Sequence, residues 1–235
     1  MAQIIRYGIV ASCKPWGREV FDYLLRRFPD YEWGFVTDNH ELIRIVKDKN
    51  ADMIFFVHWN WFVPESITAQ MQCLCLHMTD LPYGRGGSPL QNLILRGHKE
   101  TKLTIFQMNS ELDAGPIYAQ RVLPLHGSAH EIYIRMTELS KEMIEEVIAG
   151  SLSPVPQRGE PVFFKRRKPH ESELPLLSNL ESIHDFIRML DAPTYPAAFL
   201  NYGDIRISFS NARLEGSKLS ALATFELMAT LDEKK

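Results

Sequence analysis

The hydrophobic residues of this chain fall into short runs separated by polar loops and by longer amphipathic stretches. Runs rich in β-branched and aromatic residues predict six strands, at residues 4–11, 33–37, 52–57, 72–76, 102–107 and 117–123. Between several of them, apolar residues recur three or four positions apart, which predicts helices. Strands that alternate with helices are typical of a sheet covered on both faces. The pattern therefore predicts an α/β fold with a Rossmann-like parallel sheet.

The clearest helix signal lies at residues 128–148. Its apolar positions are spaced for one buried face: Ile132, Met136, Leu139, Met143 and Val147. Ser128 stands where a helix cap belongs, and Glu131 follows at the capping-box position. We expect this helix to pack on the sheet.

The character of the chain changes after residue 150. Prolines and serines in residues 150–159 predict a linker. A helix candidate at 180–190 and short strands at 197–201 and 205–211 then predict a small α+β appendage. The pattern after Gly216 is too weak to assign. We divide the chain into a main domain, residues 1–155, and a small C-terminal subdomain, residues 156–235.

Charge and composition narrow the function classes. The 235 residues carry a net charge of −3, with 45% hydrophobic and 23% charged residues. Binding to nucleic acid usually requires a basic surface, so we expect no nucleic-acid partner. The N-terminus has too little apolar length for a signal peptide, and no run is long enough to span a membrane. We expect a cytoplasmic protein without a membrane partner.

The cysteines predict neither a disulfide framework nor a metal site. Cys73 and Cys75 lie on the same side of one strand candidate, and Cys13 stands alone. No second cysteine or histidine pair sits at zinc-site spacing, so we expect reduced thiols and no metal. A G-x-G-x-x-G motif is also absent, which argues against a dinucleotide site.

Two ionisable residues follow strand candidates. His77 comes directly after the strand at 72–76, and Asp113 lies in the turn after the strand at 102–107. In open α/β sheets, ligands bind at the carboxyl ends of the strands, where the loops begin. We therefore expect His77 and Asp113 to meet at that edge.

An aromatic loop follows the third strand, at residues 58–64. Trp59 and Phe62 in this loop have two interpretations that the sequence leaves open. They either pack beneath the loop as core, or they form one wall of a flat, apolar ligand slot.

Two linked motifs surround His77 and Asp113. The first is His77-x-Thr79-x-Leu81-Pro82-x-x-Arg85-Gly86-Gly87-x-Pro89, and the second is Leu112-Asp113-Ala114-Gly115-Pro116-Ile117. Together they resemble the core of the folate-dependent formyltransferases, whose pattern is N-x-H-x-S-x-L-P-x-x-R-G-x-x-P followed by L-D-x-G-x-I. The 36 positions between His77 and Asp113 agree with that family. The resemblance implies the formyltransferase fold for residues 1–155.

The resemblance also implies roles for particular residues. His77 and Asp113 match the catalytic pair, which would act as general base or oxyanion donor and as its orienting carboxylate. Arg85, Gly86 and Gly87 match the loop that borders the folate. The family holds the pteridine at the loop that here contains Trp59 and Phe62. The implied co-substrate is N10-formyltetrahydrofolate, and no metal is required.

One departure from the family pattern affects the chemistry. Cys75 stands where the family has its catalytic asparagine. A thiol is a weak hydrogen-bond donor, so the usual polariser of the formyl oxygen is missing or replaced. Asn60 and Asn109 are candidate replacements that the sequence does not rank. Cys75 itself is either a residue of the site or a small buried hydrophobe.

The C-terminal region carries a second, looser resemblance. Residues 163–173 and 191–199 are similar to sugar N-formyltransferases and to the formylation domains of nonribosomal peptide synthetases. The sequence of residues 77–94 is most similar to that of formyltransferases of the pseudaminic-acid pathway, which act on a UDP-linked 4-amino-4,6-dideoxy sugar for surface glycans. This implies a nucleotide-sugar substrate. Its candidate contacts are Asp80 for the sugar amine, Lys165, Arg166 and Arg167 for the diphosphate, and Tyr195 for the base.

Four alternatives stay open. In the first alternative the acceptor is a methionyl-tRNA, and in the second it is the amine of an aminoacyl group, as in the synthetase domains. Water is the acceptor in a third alternative, which makes the protein a hydrolase. In the fourth, the protein binds folate or a nucleotide without transfer. The sequence also allows a homodimer through the hydrophobic appendage.

Overall fold

The computed structural model of the chain describes residues 6–48 and 51–228. Its strands are β1 (Arg6–Ala11), β2 (Tyr31–Val36), β3 (Met53–Val57), β4 (Gln72–His77), β5 (Tyr83–Gly86), β6 (Glu100–Gln107), β7 (Ile117–Pro124), β8 (Val162–Phe164), β9 (Ala198–Tyr202), β10 (Ile205–Glu215) and β11 (Lys218–Leu227). Its α-helices are α1 (Pro15–Arg27), α2 (Asn39–Asp48), α3 (Glu65–Thr68), α4 (Pro89–Leu95), α5 (Ala129–Ile148) and α6 (Leu180–Arg188). The six predicted strands correspond to β1, β2, β3, β4, β6 and β7. The predicted residues 4 and 5 of the first strand lie outside the described residues.

The central sheet has the order β2-β1-β3-β4-β6-β7, and helices cover both of its faces. Strand β3 shows why its residues suit this position. Ile54, Phe55 and Phe56 are all fully buried, and they alternate between two separate hydrophobic clusters on opposite faces. A strand buried on both faces needs continuous apolar sequence. The predicted α/β fold class is confirmed.

The direction of one strand, β6, differs from the prediction. β1, β2, β3 and β4 pair in parallel, but β6 runs antiparallel to both β4 and β7. The connection between β4 and β6 contains the helix α4, whose seven residues rise about 10 Å. The chain between β4 and β6 also contains β5, and it brings β6 into the sheet from the end opposite to the start of β4.

The strand order places a crevice between β1 and β3. From β1 the chain moves outward to β2, and it then returns past β1 to continue with β3 and β4. Ligand sites in open α/β sheets form at such a reversal, outside the carboxyl ends of the two strands. Here those ends carry residues 12–14 and the aromatic loop 58–64.

Helix α5 begins as predicted. The Ser128 side chain accepts a hydrogen bond from the Glu131 amide, and the Glu131 carboxylate accepts one from the Ser128 amide at 2.7 Å. These bonds to the carboxylate hold the pKa of Glu131 below its usual range. Within residues 6–48 and 51–228, no helix is long and apolar enough to cross a membrane.

The C-terminal part contacts the main domain closely. β8 pairs with β5, and Phe164, Phe186 and Met189 are buried in the same hydrophobic cluster as the sheet. β9, β10 and β11 form a separate antiparallel sheet, and β11 occupies the segment after Gly216 that the sequence left unassigned. The division at residues 155/156 stays a prediction.

Candidate active site

A cavity of about 750 Å³ opens at the carboxyl ends of β1, β3 and β4. Two of its walls differ in composition. We call one the His77 wall: Cys75, His77, Gly86, Asn109 and Asp113. We call the other the Tyr195 wall: Lys14, His58, Tyr133, Arg166 and Tyr195. Residues 59–62 border the cavity beside them.

His77 is buried at the end of β4, with 8% of the residue exposed. Its Nε2 lies 2.8 Å from the Gly84 carbonyl oxygen. A carbonyl only accepts, so Nε2 carries the proton and donates to it. The other ring nitrogen, Nδ1, lies 4.0 Å from Asp113 Oδ2. That nitrogen is therefore the one placed to accept or donate a proton beside the carboxylate.

Asp113 is held by backbone groups. Its Oδ2 accepts a hydrogen bond from the Gly86 amide at 2.8 Å. Its backbone has φ of +50°, in the left-handed region that Asp tolerates better than most residues. Unusual backbone conformations of this kind often occur at functional sites.

The sequence predicted the meeting of His77 and Asp113 from a parallel arrangement, and that reasoning was wrong. Because β6 is antiparallel, its end at Gln107 pairs with Leu74, well before the end of β4. Residues 108–116 then fold back over the sheet edge and return Asp113 to the β5 segment. The two side chains come together through this loop and not through neighbouring strand ends.

Two glycines of the motifs are required by close backbone contacts. A Cβ on Gly115 would lie 1.7 Å from the Gln107 carbonyl oxygen. Gly86 has φ of +104°, and a Cβ there would lie 2.4 Å from the Phe164 carbonyl oxygen. Side chains at either position would displace the segments that hold Asp113.

The predicted folate contact Arg85 faces elsewhere. It does not line the cavity, and its guanidinium donates to Gln157 Oε1 at 2.7 and 3.2 Å. Gln157 Nε2 in turn donates to the carbonyl oxygens of Asp113 and Gly115, at 2.8 and 2.9 Å. Arg85 and Gln157 thus brace the Asp113 loop from behind, whereas Gly86 and Gly87 line the cavity.

Cys75 lines the cavity close to the carboxylate. Burial, with a further contribution from the negative charge of Asp113, raises the pKa of its thiol well above the usual value. The group therefore stays a neutral S–H, a weak donor. Cys73 and Cys13 are likewise free thiols.

The aromatic loop has mixed exposure. Trp59 packs edge-on against Phe56 and Trp61, whereas Phe62 is 74% exposed. Both Trp59 and Phe62 line the cavity. The loop is tied down by hydrogen bonds from Asn39 to the Phe62 carbonyl and from the Cys13 thiol to the His58 carbonyl.

The Tyr195 wall combines aromatic rings with nitrogen-bearing side chains. Tyr195 stacks on Tyr133, with ring centroids 5.4 Å apart, and the Lys14 ammonium lies 4.2 Å from the Tyr195 ring centroid. Lys14 also donates to Thr194, and burial lowers its pKa. The sequence placed Tyr195 in the site but missed Tyr133, which periodicity alone assigns to the packed face of α5.

His58 is the histidine of this wall. It packs between Trp16 and Tyr133, and its Nε2 is inaccessible to solvent without a hydrogen-bond partner in the described part of the chain. Burial, with the nearby Lys14 charge, lowers its pKa to about 3. Its backbone φ of +53° is left-handed. No sequence motif marked this residue.

Only part of the cation segment at residues 165–168 lines the cavity. Arg166, Arg167 and Lys168 line the cavity, and Arg166 donates to Asn60 Oδ1 at 3.2 Å. Lys165 does not line it. Arg167 is partly buried and donates to the Glu171 carbonyl, so Arg166 and Lys168 are the more exposed of the three cations that line the cavity.

Asp80 lies outside the cavity. Its carboxylate pairs with Lys102 at 3.1 Å and accepts from Gln120 at 3.0 Å, beside a separate depression. The antiparallel course of β6 brings Lys102 to this position. The structure thus separates Asp80 from the other predicted substrate contacts. Among the residues described, no group of three or more His, Cys, Asp and Glu side chains is placed to hold a metal ion.

Family models match two parts of the chain. A model described as "Formyl transferase" matches residues 31–148, half of the chain. A second, described as "Methionyl-tRNA formyltransferase, C-terminal domain", matches residues 169–226.

Individual proteins are similar over most of the chain. A solved structure named methionyl-tRNA formyltransferase from Clostridium thermocellum is 38% identical, with a TM-score of 0.90, covering 95% of this chain and 100% of that one. A curated methionyl-tRNA formyltransferase of Sinorhizobium medicae is 28% identical over 75% of this chain. A 4-N formyltransferase structure from Francisella tularensis, 16% identical with a TM-score of 0.65 over 96% of this chain and 99% of that one, shares the fold.

The length of the chain differs from that of its curated relatives. It spans 59% of the Sinorhizobium medicae protein and 55% of the next relative. The names of these relatives state a tRNA substrate, which conflicts with the expectation of no nucleic-acid partner drawn from the net charge.

Proposed function

The chain belongs to the formyl transferase family, and we propose that it transfers a formyl group from N10-formyltetrahydrofolate to a primary amine. The observation that carries this proposal is the approach of His77 Nδ1 to Asp113 Oδ2, 4.0 Å apart, on the wall of a cavity of about 750 Å³. A base and an orienting carboxylate beside an open volume are the groups that amine acylation needs.

The donor would lie along the aromatic loop. Trp59 and Phe62 offer apolar surface to a flat ring, and Met108 and Leu112 line the same cavity from the opposite loop. Leu112 is 60% exposed and Phe62 is 74% exposed. Covering these side chains with a ring system would remove apolar surface from water, which favours binding. We assign the pteridine to this slot.

The transfer step follows from the placement of His77. The amine nitrogen of the acceptor attacks the formyl carbon, and the carbonyl electrons move to oxygen. Nδ1 of neutral His77 accepts the proton that the amine loses, and Asp113 stabilises the resulting imidazolium. Collapse of the tetrahedral intermediate breaks the bond to N10 of the folate, which leaves as an amine after taking that proton. The products are the formamide and tetrahydrofolate.

The oxyanion of the intermediate needs a donor other than Cys75. Asn60 is engaged on both sides, since its amide donates to Cys13 Sγ and its oxygen accepts from Arg166. Asn109 lines the cavity, and its oxygen accepts from the Glu111 amide, which orients the side chain. Its NH₂ group forms no hydrogen bond among the described residues. We assign the donor role to Asn109.

For the acceptor, we propose an amino sugar linked to a nucleotide diphosphate, of the UDP-4-amino-4,6-dideoxy type. The Tyr195 wall supports this class, because Lys14 and Arg166, with the neighbouring Arg167 and Lys168, place four cations on the cavity. The carboxylates that line the cavity, Glu111 and Asp113, both belong to the 108–116 loop. Arg binds phosphate through paired donors. The Tyr195 ring is covered by Tyr133 and by the Lys14 ammonium, so its predicted contact with a base has no support from these contacts.

A methionyl-tRNA acceptor is the second candidate. It is favoured by the 38% identity to a protein of that name over its full length and by the C-terminal family model. The same cations would then contact phosphates of the acceptor end. The net charge of −3 disfavours a large nucleic-acid surface.

One assay distinguishes these acceptors. The protein is incubated with N10-formyltetrahydrofolate and, separately, with UDP- and dTDP-linked amino sugars, aminoacyl thioesters and methionyl-tRNA, and products are read by mass spectrometry. A formylated UDP-sugar supports the proposal, and formylated methionyl-tRNA alone replaces it with the second candidate. Formate release without acceptor indicates hydrolysis. Folate binding without any transfer contradicts the catalytic role. The His77→Asn protein serves as the inactive control. A cytoplasmic location and a homodimer stay predictions.

A further inference from the structure

A chain of hydrogen bonds lies behind His77, formed by Thr79, Thr104 and Gln120, and none of these three side chains lines the cavity. Strand register brings them together, because His77 of β4 pairs with Thr104 of β6, and Thr104 pairs with Gln120 of β7. Directly opposed residues of an antiparallel pair share one face of the sheet. Thr79 and Thr104 are fully buried. Polar side chains placed this deep are normally hydrogen-bonded.

The donors of this chain all point in one direction. Gln120 Nε2 donates to Thr104 Oγ1 at 3.0 Å, and Thr104 Oγ1 donates to the Thr79 carbonyl oxygen at 2.6 Å. The Thr79 hydroxyl then donates to the Gly84 carbonyl oxygen at 3.3 Å. At the outer end, the Asp80 carboxylate accepts from Gln120 Nε2 at 3.0 Å. A carboxylate only accepts, so it fixes which way the Gln120 amide faces.

The Gly84 carbonyl oxygen is the atom at which this chain meets His77. It accepts from Thr79 Oγ1 and from His77 Nε2, so both of its lone pairs are used. Gly84 has φ of +80°, and a Cβ there would lie 2.6 Å from Thr79 Cγ2. Thr79 therefore packs closely on the Gly84 backbone as well as bonding it, and both contacts fix the direction of the carbonyl.

The two ring nitrogens of neutral His77 compete for one proton. The Gly84 carbonyl favours the proton on Nε2, whereas the Asp113 carboxylate, 4.0 Å from Nδ1, favours it on Nδ1. The tautomer of an imidazole is set by the hydrogen bonds that its nitrogens make. Only the tautomer with the proton on Nε2 leaves Nδ1 free to accept a proton from the amine. The position of the Gly84 carbonyl therefore decides whether the base is competent.

We propose that Thr79 is a positioning residue for His77, which holds the Gly84 carbonyl so that the ring keeps its proton on Nε2. Thr104 and Gln120 in turn hold Thr79. Thr79 acts through Gly84 and does not touch the reacting atoms. This inference rests on the proposed role of His77 as the base. The tautomer can be measured without turnover, so a failure of this inference is distinguishable from a failure of the proposed reaction.

Nitrogen NMR of isotope-labelled histidines tests the tautomer, because protonated and unprotonated ring nitrogens differ widely in chemical shift. His77→Asn identifies the signals of this ring. With the ring neutral, we expect the wild type to carry its proton on Nε2. Thr79→Val removes the hydroxyl but keeps the shape, and it should shift part of the population to Nδ1, whereas Thr79→Ser should restore the wild-type signals. A wild-type ring protonated on Nδ1, an unchanged tautomer in Thr79→Val, or an equal change in Thr79→Ser overturns the proposal.

Steady-state kinetics at saturating acceptor provide a second readout. Thr79→Val should lower kcat about tenfold and leave the KM for formyltetrahydrofolate within about twofold of wild type, because displacement of a reacting group slows the chemical step more than it weakens binding. Thr79→Ser should retain kcat. The matched control is Thr137→Val, which removes an equally buried hydroxyl that donates to the Tyr133 carbonyl inside α5. A kcat loss in Thr79→Val no larger than in this control contradicts a positioning role.

Variants at the outer end of the chain keep the proposal testable if Thr79→Val does not fold. Gln120→Met should shift the His77 tautomer in the same direction as Thr79→Val, and an unchanged tautomer overturns the role of the outer chain. Asp80 was predicted to contact the sugar amine, and here it ends the chain instead. Asp80→Asn should lower kcat by less than about threefold and leave the KM for the acceptor unchanged. A raised KM for the acceptor with kcat unchanged would make Asp80 a substrate contact and overturn its place in the chain.

Discussion

The His77 wall and the Tyr195 wall of the cavity hold their ionisable groups in different ways. On the His77 wall, each acid or base contacts backbone polar groups: Nε2 of His77 bonds the Gly84 carbonyl, and Asp113 accepts from the Gly86 amide. On the Tyr195 wall, His58 and Lys14 contact aromatic rings, although Lys14 also donates to Thr194. His58 packs against Trp16 and Tyr133, and Lys14 lies over Tyr195.

This difference has consequences for chemistry. Fixed polar partners orient a proton-transfer group, which favours reaction at a defined atom. Aromatic surroundings remove water and so disfavour charge, which lowers the pKa of both His58 and Lys14. A bound anion would give the Lys14 ammonium a partner of opposite charge. We infer that the His77 wall serves the reaction and the Tyr195 wall serves recognition of the acceptor.

Substitution of His77 or Asp113 should reduce kcat more strongly than any change on the Tyr195 wall. His77→Asn removes the base, and Asp113→Asn removes its orienting charge. Removal of a general base typically costs about 10²–10⁴ in kcat, and we expect losses in that range from steady-state assays. His98→Asn, which changes a histidine that bonds Tyr83 outside the cavity, is the control. Turnover at the wild-type rate in both variants would contradict the assigned roles.

Arg166→Ala should affect binding on the Tyr195 wall and leave the chemical step intact. Loss of a hydrogen bond to a charged group costs roughly 1.5–3 kcal/mol, so we expect the KM for the acceptor to rise about 10–100-fold with kcat little changed. Lys165→Ala is the matched control, because Lys165 is the adjacent cation that does not line the cavity. An equal effect of the two substitutions would argue against a specific role for Arg166.

His58 should make folding stability depend on pH. Its pKa falls from 6.5 to about 3 on folding, so between these values the unfolded chain binds a proton that the folded chain does not. The free energy of unfolding therefore decreases as pH falls below 6.5, by about 2 kcal/mol at pH 5. Urea unfolding at pH 7 and pH 5 should show a smaller loss in His58→Gln than in wild type. Parallel losses in the two proteins would exclude this origin.

Gln157→Ala should loosen the His77 wall from behind. The substitution removes both hydrogen bonds to the Asp113 loop and the partner of Arg85. Small displacements of a reacting group reduce rates strongly, so we expect kcat to fall roughly tenfold. Gln72→Ala, which removes a hydrogen bond to Tyr118 in the sheet, controls for stability. A kcat loss no larger than that of the control would mean that Asp113 is positioned without the brace.

Cys75→Ser should have the smallest effect. The thiol is neutral and donates weakly, so we expect kcat to change by less than about threefold. A loss of about a hundredfold would instead indicate that the thiol takes part in the reaction. That result would also remove the need for Asn109 as oxyanion donor.

Local features were predictable because they depend on neighbouring residues. The apolar runs located the six strands of the central sheet, and Ser128 with Glu131 located the start of α5. The segment after Gly216 carried alternating apolar residues, from Leu219 to Leu227, which was the available signal for β11. Alternation is weaker there because small alanines occupy two of the positions.

The composition of the cavity walls was less predictable because it depends on distant contacts. Lys14 meets Thr194, 180 positions along the chain. Arg85 turns to Gln157, a residue of the predicted linker, and Asp80 turns to Lys102 because β6 runs antiparallel. None of these pairs has a local sequence signal.

The sequence alone determined which residue types this protein offers for chemistry, because the two motifs set the spacing of turns, glycines and ionisable groups along the backbone. Only the tertiary structure decided how they meet. β6 runs antiparallel to β4, and the 108–116 loop returns Asp113 to His77. The direction of a strand depends on how its connection packs against the sheet, which is a property of the folded chain and not of the motif.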